Sequence, residues 1–398
     1  MIRNQKLRFN YRFEIQPLRT LSILLVAIYH IWIYGISGGV DVFLCLSGYF
    51  FVIHYLKIYA DGGRRYRILD HFKSIIVRLL PTTLIFLFIF LLLSKVLFDL
   101  NMQGVLAKEL IPAFTYTLNF DFIRHSYDYG NRTSSISPLV HLWAVNIILQ
   151  LSIAFTIILY FADRSKNKVP TLLVLLVAIF CISFVYALYI ANVNPSAGYF
   201  DPLARSYEFA AGGIIALLEK FFISVKNNFI VLLSLILFLL IGPIFGEGNV
   251  QFPGFIGILP CLVAAGILLF YNDNSKFNKI FQYRFFLLCG KLTFPFYLIH
   301  WPVYVIFFAN NGYKKIDFYT GFCVLAISIL VSAALLYLVK FVTGKIRSFK
   351  FIFWVGFALI SASLVPVYLA DGIQFENDLR KYLNDVHFLV KKEKSIMN

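Results

Sequence analysis

Residues 170–191, PTLLVLLVAIFCISFVYALYIA, hold no charged side chain over 22 consecutive positions. A helix needs about 20 apolar residues to cross roughly 30 Å of hydrocarbon, so this run is long enough to span a bilayer. It has company. Eleven candidate spans read from the chain, at about 17–36, 40–60, 79–98, 139–161, 170–191, 203–222, 229–246, 254–271, 286–309, 317–341 and 351–370. The second and sixth are the least regular, since they contain glycines and charges. Composition agrees: 60% of the 398 residues are hydrophobic and 14% are charged, against about 25% charged in soluble domains. The mean hydropathy is +0.78. Soluble globules, disordered chains and secreted disulfide scaffolds are excluded. The expected fold is an all-α integral membrane bundle of ten or eleven transmembrane helices.

The net charge of +16 raises the question of nucleic acid, whose phosphates Lys and Arg neutralise. The cations lie in short segments between apolar runs, however, and no nucleic-acid-binding motif accompanies them. They read better as topology. With the N-terminus on the cytoplasmic side, 22 of the 36 Lys and Arg fall in the N-terminal segment and the even-numbered loops, and five in the outer loops. That is the positive-inside pattern. It predicts a transmembrane domain over 1–370 and a short extracytoplasmic tail over 371–398. The first apolar run reaches full spanning length, so no cleavable signal peptide is expected. The five cysteines all lie inside apolar runs without metal-ligand spacing, which predicts packing rather than metal binding.

One outer loop, about 99–137, is long and rich in aromatics (Phe114, Tyr116, Phe120, Phe122, Tyr127, Tyr129). It reads either as a glycan-facing lid or as a loop resting on the membrane interface.

Ionisable groups within spans are costly, which makes each a functional candidate. Arg19 and His30 share the first span; eleven residues at 100° each bring them to nearly one face, about 16 Å apart along the axis. Arg suits phosphate recognition and His can take a proton near neutral pH. A donor entering from inside and an acceptor arriving from outside would fit that spacing. A snorkelling Arg and a hydrogen-bonded core His would fit it too. Asp41, at the start of the second span, is expected at a depth comparable to His30, where it could orient the imidazole; a dipole-favoured Asp at a helix start is the plainer alternative. Ser137-Pro138 opens the fourth span, with His141 in its first turn. Arg205 and Glu208 stand three residues apart in the sixth, spaced to pair with each other. His300, with Pro302 behind it, sits mid-span in the ninth. Arg78 opens the third as an inner-side cation.

Together these segments resemble the membrane-bound acyltransferase family 3, the O-acetyltransferases of bacterial surface glycans such as O-antigen and lipopolysaccharide. Arg19 with His30 looks like the family's Arg/Lys-x10-His signature. Gly39-Val40-Asp41-Val42-Phe43 through Ser47-Gly48-Tyr49, Ser137-Pro138-Leu139-Val140-His141-Leu142-Trp143, Arg205-Ser206-Tyr207-Glu208-Phe209 and Leu298-Ile299-His300-Trp301-Pro302 are similar to its later blocks, in order. The resemblance implies a multi-pass enzyme of the bacterial inner membrane that moves an acyl group, usually acetyl, from cytoplasmic acetyl-CoA to a glycan hydroxyl outside, without a metal. His30 would be the key catalytic residue, with Asp41, His141 and His300 beside it. Arg19, Arg78 and Lys73 would serve the donor, and Trp143, Arg205, Glu208 and Tyr297 the substrate side.

Two departures stand out. Ile148-Leu149-Gln150 replaces a Glu-Glu-Gln run, and Ile75 stands where many relatives pair an arginine with Arg78; Lys73 is expected to restore that charge. Residues 371–375 resemble the linker to an SGNH hydrolase-like domain, which this chain is expected to lack, so a separate SGNH-like protein is a conceivable partner. A flippase for a lipid-linked sugar would use the same polar groups, though no broken-helix repeat supports it. An inactive acyl-delivery subunit is the remaining alternative.

Overall fold

The structure, a computed structural model, describes residues 12–60, 68–129, 136–222, 225–244, 253–272, 275 and 278–345. Among these residues the fold is entirely helical. In chain order the helices are α1 (Ile15–Ile28), α2 (Gly39–Ala60), α3 (Ile68–Leu97), α4 (Leu100–Phe114), α5 (Leu118–Arg124), α6 (Trp143–Arg164) and α7 (Lys168–Val193). They continue as α8 (Pro195–Phe200), α9 (Pro202–Leu218), α10 (Asn228–Ile244), α11 (Ile258–Phe270), α12 (Arg284–Asn310) and α13 (Phe318–Lys345).

Among the described residues, seven helical segments are long and apolar enough to cross a membrane: Ile15–Ile33, Gly39–Ile58, Phe72–Leu97, Val140–Arg164, Lys168–Val193, Arg284–Asn310 and Phe318–Gly344. That is fewer than the ten or eleven expected. The expected sixth, seventh and eighth spans form α9 and α10, of 17 residues each, and α11, of 13. At 1.5 Å per residue these reach only about 20–26 Å, less than the hydrocarbon thickness. The eleventh candidate, 351–370, and the tail, 371–398, lie outside the described residues. The third span also starts earlier than expected. Helix α3 runs through Pro81 from Ile68, so Arg78 falls within a helix rather than in a loop; its side chain is outside the described residues. The loop of 99–137 contains α4 and α5, capped at its start by Asp99, whose carboxylate accepts from the Met102 N–H at 2.8 Å.

Helices α2 and α9 form the centre. Of the α2 span 72% is buried, against 17% for α7 and 22% for α13, which leave apolar faces exposed at the periphery. Two glycines bring α2 and α9 together. A Cβ on Gly48 would fall inside the Phe209 carbonyl, and one on Gly212 inside the Cys45 carbonyl. Between helices that gain little from hydrophobic contrast with lipid, such small residues permit backbone approach and close packing.

Candidate active site

The site begins where α1 stops being regular. Tyr29–Ile33 form a π turn, and Tyr34 then takes the left-handed conformation (φ 65°), its N–H bonded to the Tyr29 carbonyl at 2.7 Å. Such turns recur at functional sites because the extra residue re-aims a side chain. Here the re-aimed group is His30, 4% exposed.

Both ring nitrogens of His30 are engaged. Nδ1 lies 3.0 Å from Nε2 of His300, and Nε2 lies 2.6 Å from the Tyr129 hydroxyl. The tautomers follow from the far end of this chain. His300 Nδ1 is 2.8 Å from the Tyr297 carbonyl and 3.1 Å from that of Phe296, and carbonyls only accept. Neutral His300 therefore carries its proton on Nδ1 and accepts at Nε2 from the His30 Nδ1–H. The lone pair of His30 is left on Nε2, facing Tyr129. Trp301 packs its ring against His30 at 4.8 Å and donates from Nε1 to the Ser137 carbonyl at 2.9 Å.

His141 sits in a 3₁₀ turn, Val140–Leu142, just ahead of α6. Its Nε2 is 3.1 Å from the Leu298 carbonyl. That carbonyl is open because the residue four positions on is Pro302, which has no N–H to donate to it. His141 Nε2 thus carries the proton, and its Nδ1 is buried without a hydrogen-bond partner among the described residues. The Tyr297 hydroxyl in turn donates to the His141 carbonyl.

Asp41 does not take the expected place as the orienting group of His30; that position belongs to His300. Asp41 accepts instead from Arg205 at 2.5 Å, and Arg205 also pairs with Glu208 at 3.0 Å, so the expected i, i+3 pair is present within a three-residue cluster. All three side chains are buried. Opposite charges removed from water together lower one another's desolvation cost, and removal of any one strands the others. The Arg205 guanidinium lies 5.5 Å from the Trp143 ring and 5.8 Å from that of Tyr199. Tyr199 stacks on Tyr129 at 4.4 Å and meets Trp143 at 4.8 Å. An aromatic wall therefore connects the cation cluster to the hydroxyl facing His30.

Three cavities line up along α2. The first, small enough for about one water (about 10 Å³), is lined by His30, Asp41, Val40, Gly38, Tyr129 and Tyr199 among others. The second, about 360 Å³ and mostly apolar, lies between α1, α2, α3, α6 and α12 and includes Val40, Phe43, Arg19, Thr293 and Tyr297. Within it Arg19 donates to the Thr293 hydroxyl at 2.9 Å. The third, about 280 Å³, is lined by Ser47, Phe50, His54, Lys57, Ser74 and Ser152 among others. Val40 borders the first and second, and Ser47 and Phe50 border the second and third. From Asp41 to Lys57 the helix rises about 24 Å, most of the hydrocarbon thickness.

His30, His141, His300, Trp143 and Arg205 are thus brought together at one end, with Asp41 and Glu208 locked to Arg205, while Arg19 and Tyr297 border the central chamber. Lys73 is exposed on α3 and does not line the third cavity, although its neighbour Ser74 does. Sequence reasoning missed His54, Lys57, Thr293 and Tyr199. The first two stand three residues apart on α2, a spacing legible in the chain; Thr293 and Tyr199 carry no local signal. Tyr129 was visible only as one aromatic among several.

Membrane-length helices thus surround a buried histidine pair beside a small pocket, with two larger cavities further along α2, an arrangement suited to a membrane-embedded group-transfer protein. The acyltransferase domain of acyltransferase family 3 matches residues 13–338, and the chain belongs to that family. It is a multi-pass membrane protein. It is similar to the O-acetyltransferase OatA of Staphylococcus aureus, 25% identical over 319 residues covering 75% of this chain and 51% of that protein. The peptidoglycan O-acetyltransferase OatA of Listeria monocytogenes is 24% identical over 325 residues, 76% of this chain and 51% of its own. A putative O-acetyltransferase, SAS0844 of Staphylococcus aureus, is 26% identical over 347 residues, 81% and 56% respectively. The chain spans about half the length of these relatives. No solved structure matches it.

Proposed function

We propose that this protein transfers an acetyl group from acetyl-CoA, entering at the Lys57 end, to a hydroxyl of a cell-envelope glycan arriving at the His30 end. The single observation that carries the reading is the series of three cavities along α2, polar and basic at one end and closed by His30 at the other. The anionic nucleotide of the donor stays near Lys57 and His54, with Arg78 and Lys73 on neighbouring α3 adding positive charge. The thinner arm reaches past Phe50 into the chamber beside Arg19.

His30 acts as general base through Nε2. The acceptor oxygen forms a bond to the thioester carbonyl carbon as its proton passes to Nε2. The carbon–sulfur bond then breaks, and the same proton leaves His30 for the departing thiolate. His300 holds His30 in the required tautomer, the service that a third group performs in hydrolase triads. The N–H groups of His141 and His300 are both committed to main-chain carbonyls, which supports orienting roles over oxyanion stabilisation. Trp143, Tyr199 and Tyr129 offer aromatic faces for a sugar ring, with Arg205 and Glu208 fixing that wall from behind.

The cation distribution supports a cytoplasmic N-terminus in a bacterial inner membrane, and the shorter α9, α10 and α11 together with the apolar run of 351–370 in the sequence would bring the spans to ten or eleven. The test is a His30→Ala strain. Loss of ester-linked acetate from its envelope glycan is expected, and unchanged acetate would sink the mechanism.

A further inference from the structure

We propose that Val40 sets the length of the acyl chain, admitting acetyl and holding back longer groups. The inference rests on the donor route argued above and adds to it a residue that decides specificity.

The nucleotide end of an acyl-CoA is bulky and anionic, and the acyl group is at the opposite tip. A donor that keeps its phosphates near Lys57 therefore advances acyl-first along α2. Its arm has room in the chamber of about 360 Å³, but the acyl tip must go further, to meet a hydroxyl at His30. Val40 is the side chain common to the chamber and the His30 pocket, and the space beyond it is about 10 Å³. That is about the volume of one water-sized sphere, which leaves no room for a longer chain.

The backbone around Val40 has little freedom to yield. Gly38 adopts φ +70°, and a Cβ there would press on Ile241. A Cβ on Gly39 would fall inside the Ser22 carbonyl of α1. The start of α2 is thus packed directly on its neighbours, and Val40, branched at Cβ, adopts few rotamers in a helix. The constriction is set by a stiff side chain on a fixed backbone.

The experiment measures release of the CoA thiol from acetyl-, propionyl- and butyryl-CoA by the purified full-length protein, with solubilised cell-wall glycan as acceptor. Val40→Ala is expected to raise the propionyl-to-acetyl ratio of kcat/KM about tenfold or more, the usual worth of a methylene in an apolar pocket. Val40→Ile is expected to lower the acetyl value itself by about tenfold on the same scale. Leu46→Ala, which widens only the chamber, should change all three donors by one common factor. An unmoved ratio in Val40→Ala, or an equal shift in Leu46→Ala, overturns the role of Val40. Failure of the wild-type protein to release thiol from any of the three would count instead against the donor reading.

Discussion

His141 owes its hydrogen bond to a missing one. Its Nε2 lies 3.1 Å from the Leu298 carbonyl, which Pro302 leaves open four residues further along α12. A proline in a membrane helix is tolerated where a neighbouring group satisfies the freed carbonyl, and here that group is a histidine of the site. Pro302→Ala restores an intrahelical donor that competes for Leu298. The expected outcome is an enzyme at least as stable as wild type, with kcat lowered about tenfold by a misoriented His141, on the scale of small displacements in an active site. Thermal unfolding and steady-state kinetics on one preparation check both halves.

His300→Ala removes the acceptor that keeps the His30 proton on Nδ1. Since the positioned base contributes about 10²–10⁴-fold, much of that factor should vanish with its orienter although His30 itself is intact. Rates should fall with little change in KM. A loss confined to KM would assign His300 to binding instead.

Asp41→Asn should act on folding more than on chemistry, because Asp41 holds Arg205 and not His30. Breaking one member of a buried charged group costs about 3–5 kcal/mol. A clear drop in melting temperature in detergent is expected, and an Asp41→Asn protein as stable as wild type would contradict the pairing.

Gly48→Ala and Gly212→Ala each place a methyl inside the carbonyl of the facing helix. Overpacking a close contact costs about 1–3 kcal/mol, and here backbone rather than a movable side chain stands in the way. Both variants should lose folded yield on size-exclusion chromatography, whereas Gly104→Ala, whose Cβ meets nothing within 4 Å, should not.

Glu109, on α4 between the membrane-length helices, gives a pH dependence. Its carboxyl is buried and receives hydrogen bonds from the Ser137 hydroxyl and the Leu139 N–H, but burial outweighs them and pushes its pKa up to about 8. A carboxyl whose pKa is higher folded than unfolded binds its proton more tightly in the native state. Its contribution is full below about pH 4.5, declines as pH rises, and is gone above about 8. Glu109→Gln, neutral at every pH, should flatten that decline, measured as melting temperature between pH 5 and 9.

The membrane character, the family blocks and the pairing of Arg205 with Glu208 were legible in the chain, because each depends on residues close together in sequence. Hydrophobic runs report on solvent, and an i, i+3 pair reports on one helix. The helix count was less legible, since an apolar run in α9, α10 or α11 reads the same whether it spans lipid or ends short inside a bundle. The partner of His30 was not legible at all. Asp41 lies eleven positions from it and His300 lies 270, yet the nearer carboxylate turns to Arg205 and the distant imidazole completes the site.

The sequence by itself thus determined the medium in which this protein folds and the kinds of side chain it brings to its interior. Tertiary structure alone decided which of them meet. A π turn re-aimed His30, a proline opened a carbonyl for His141, and two glycines drew α9 onto α2 so that Arg205 reached Asp41. Each of those contacts depends on angles and distances between separate helices, and no local run of residues encodes them.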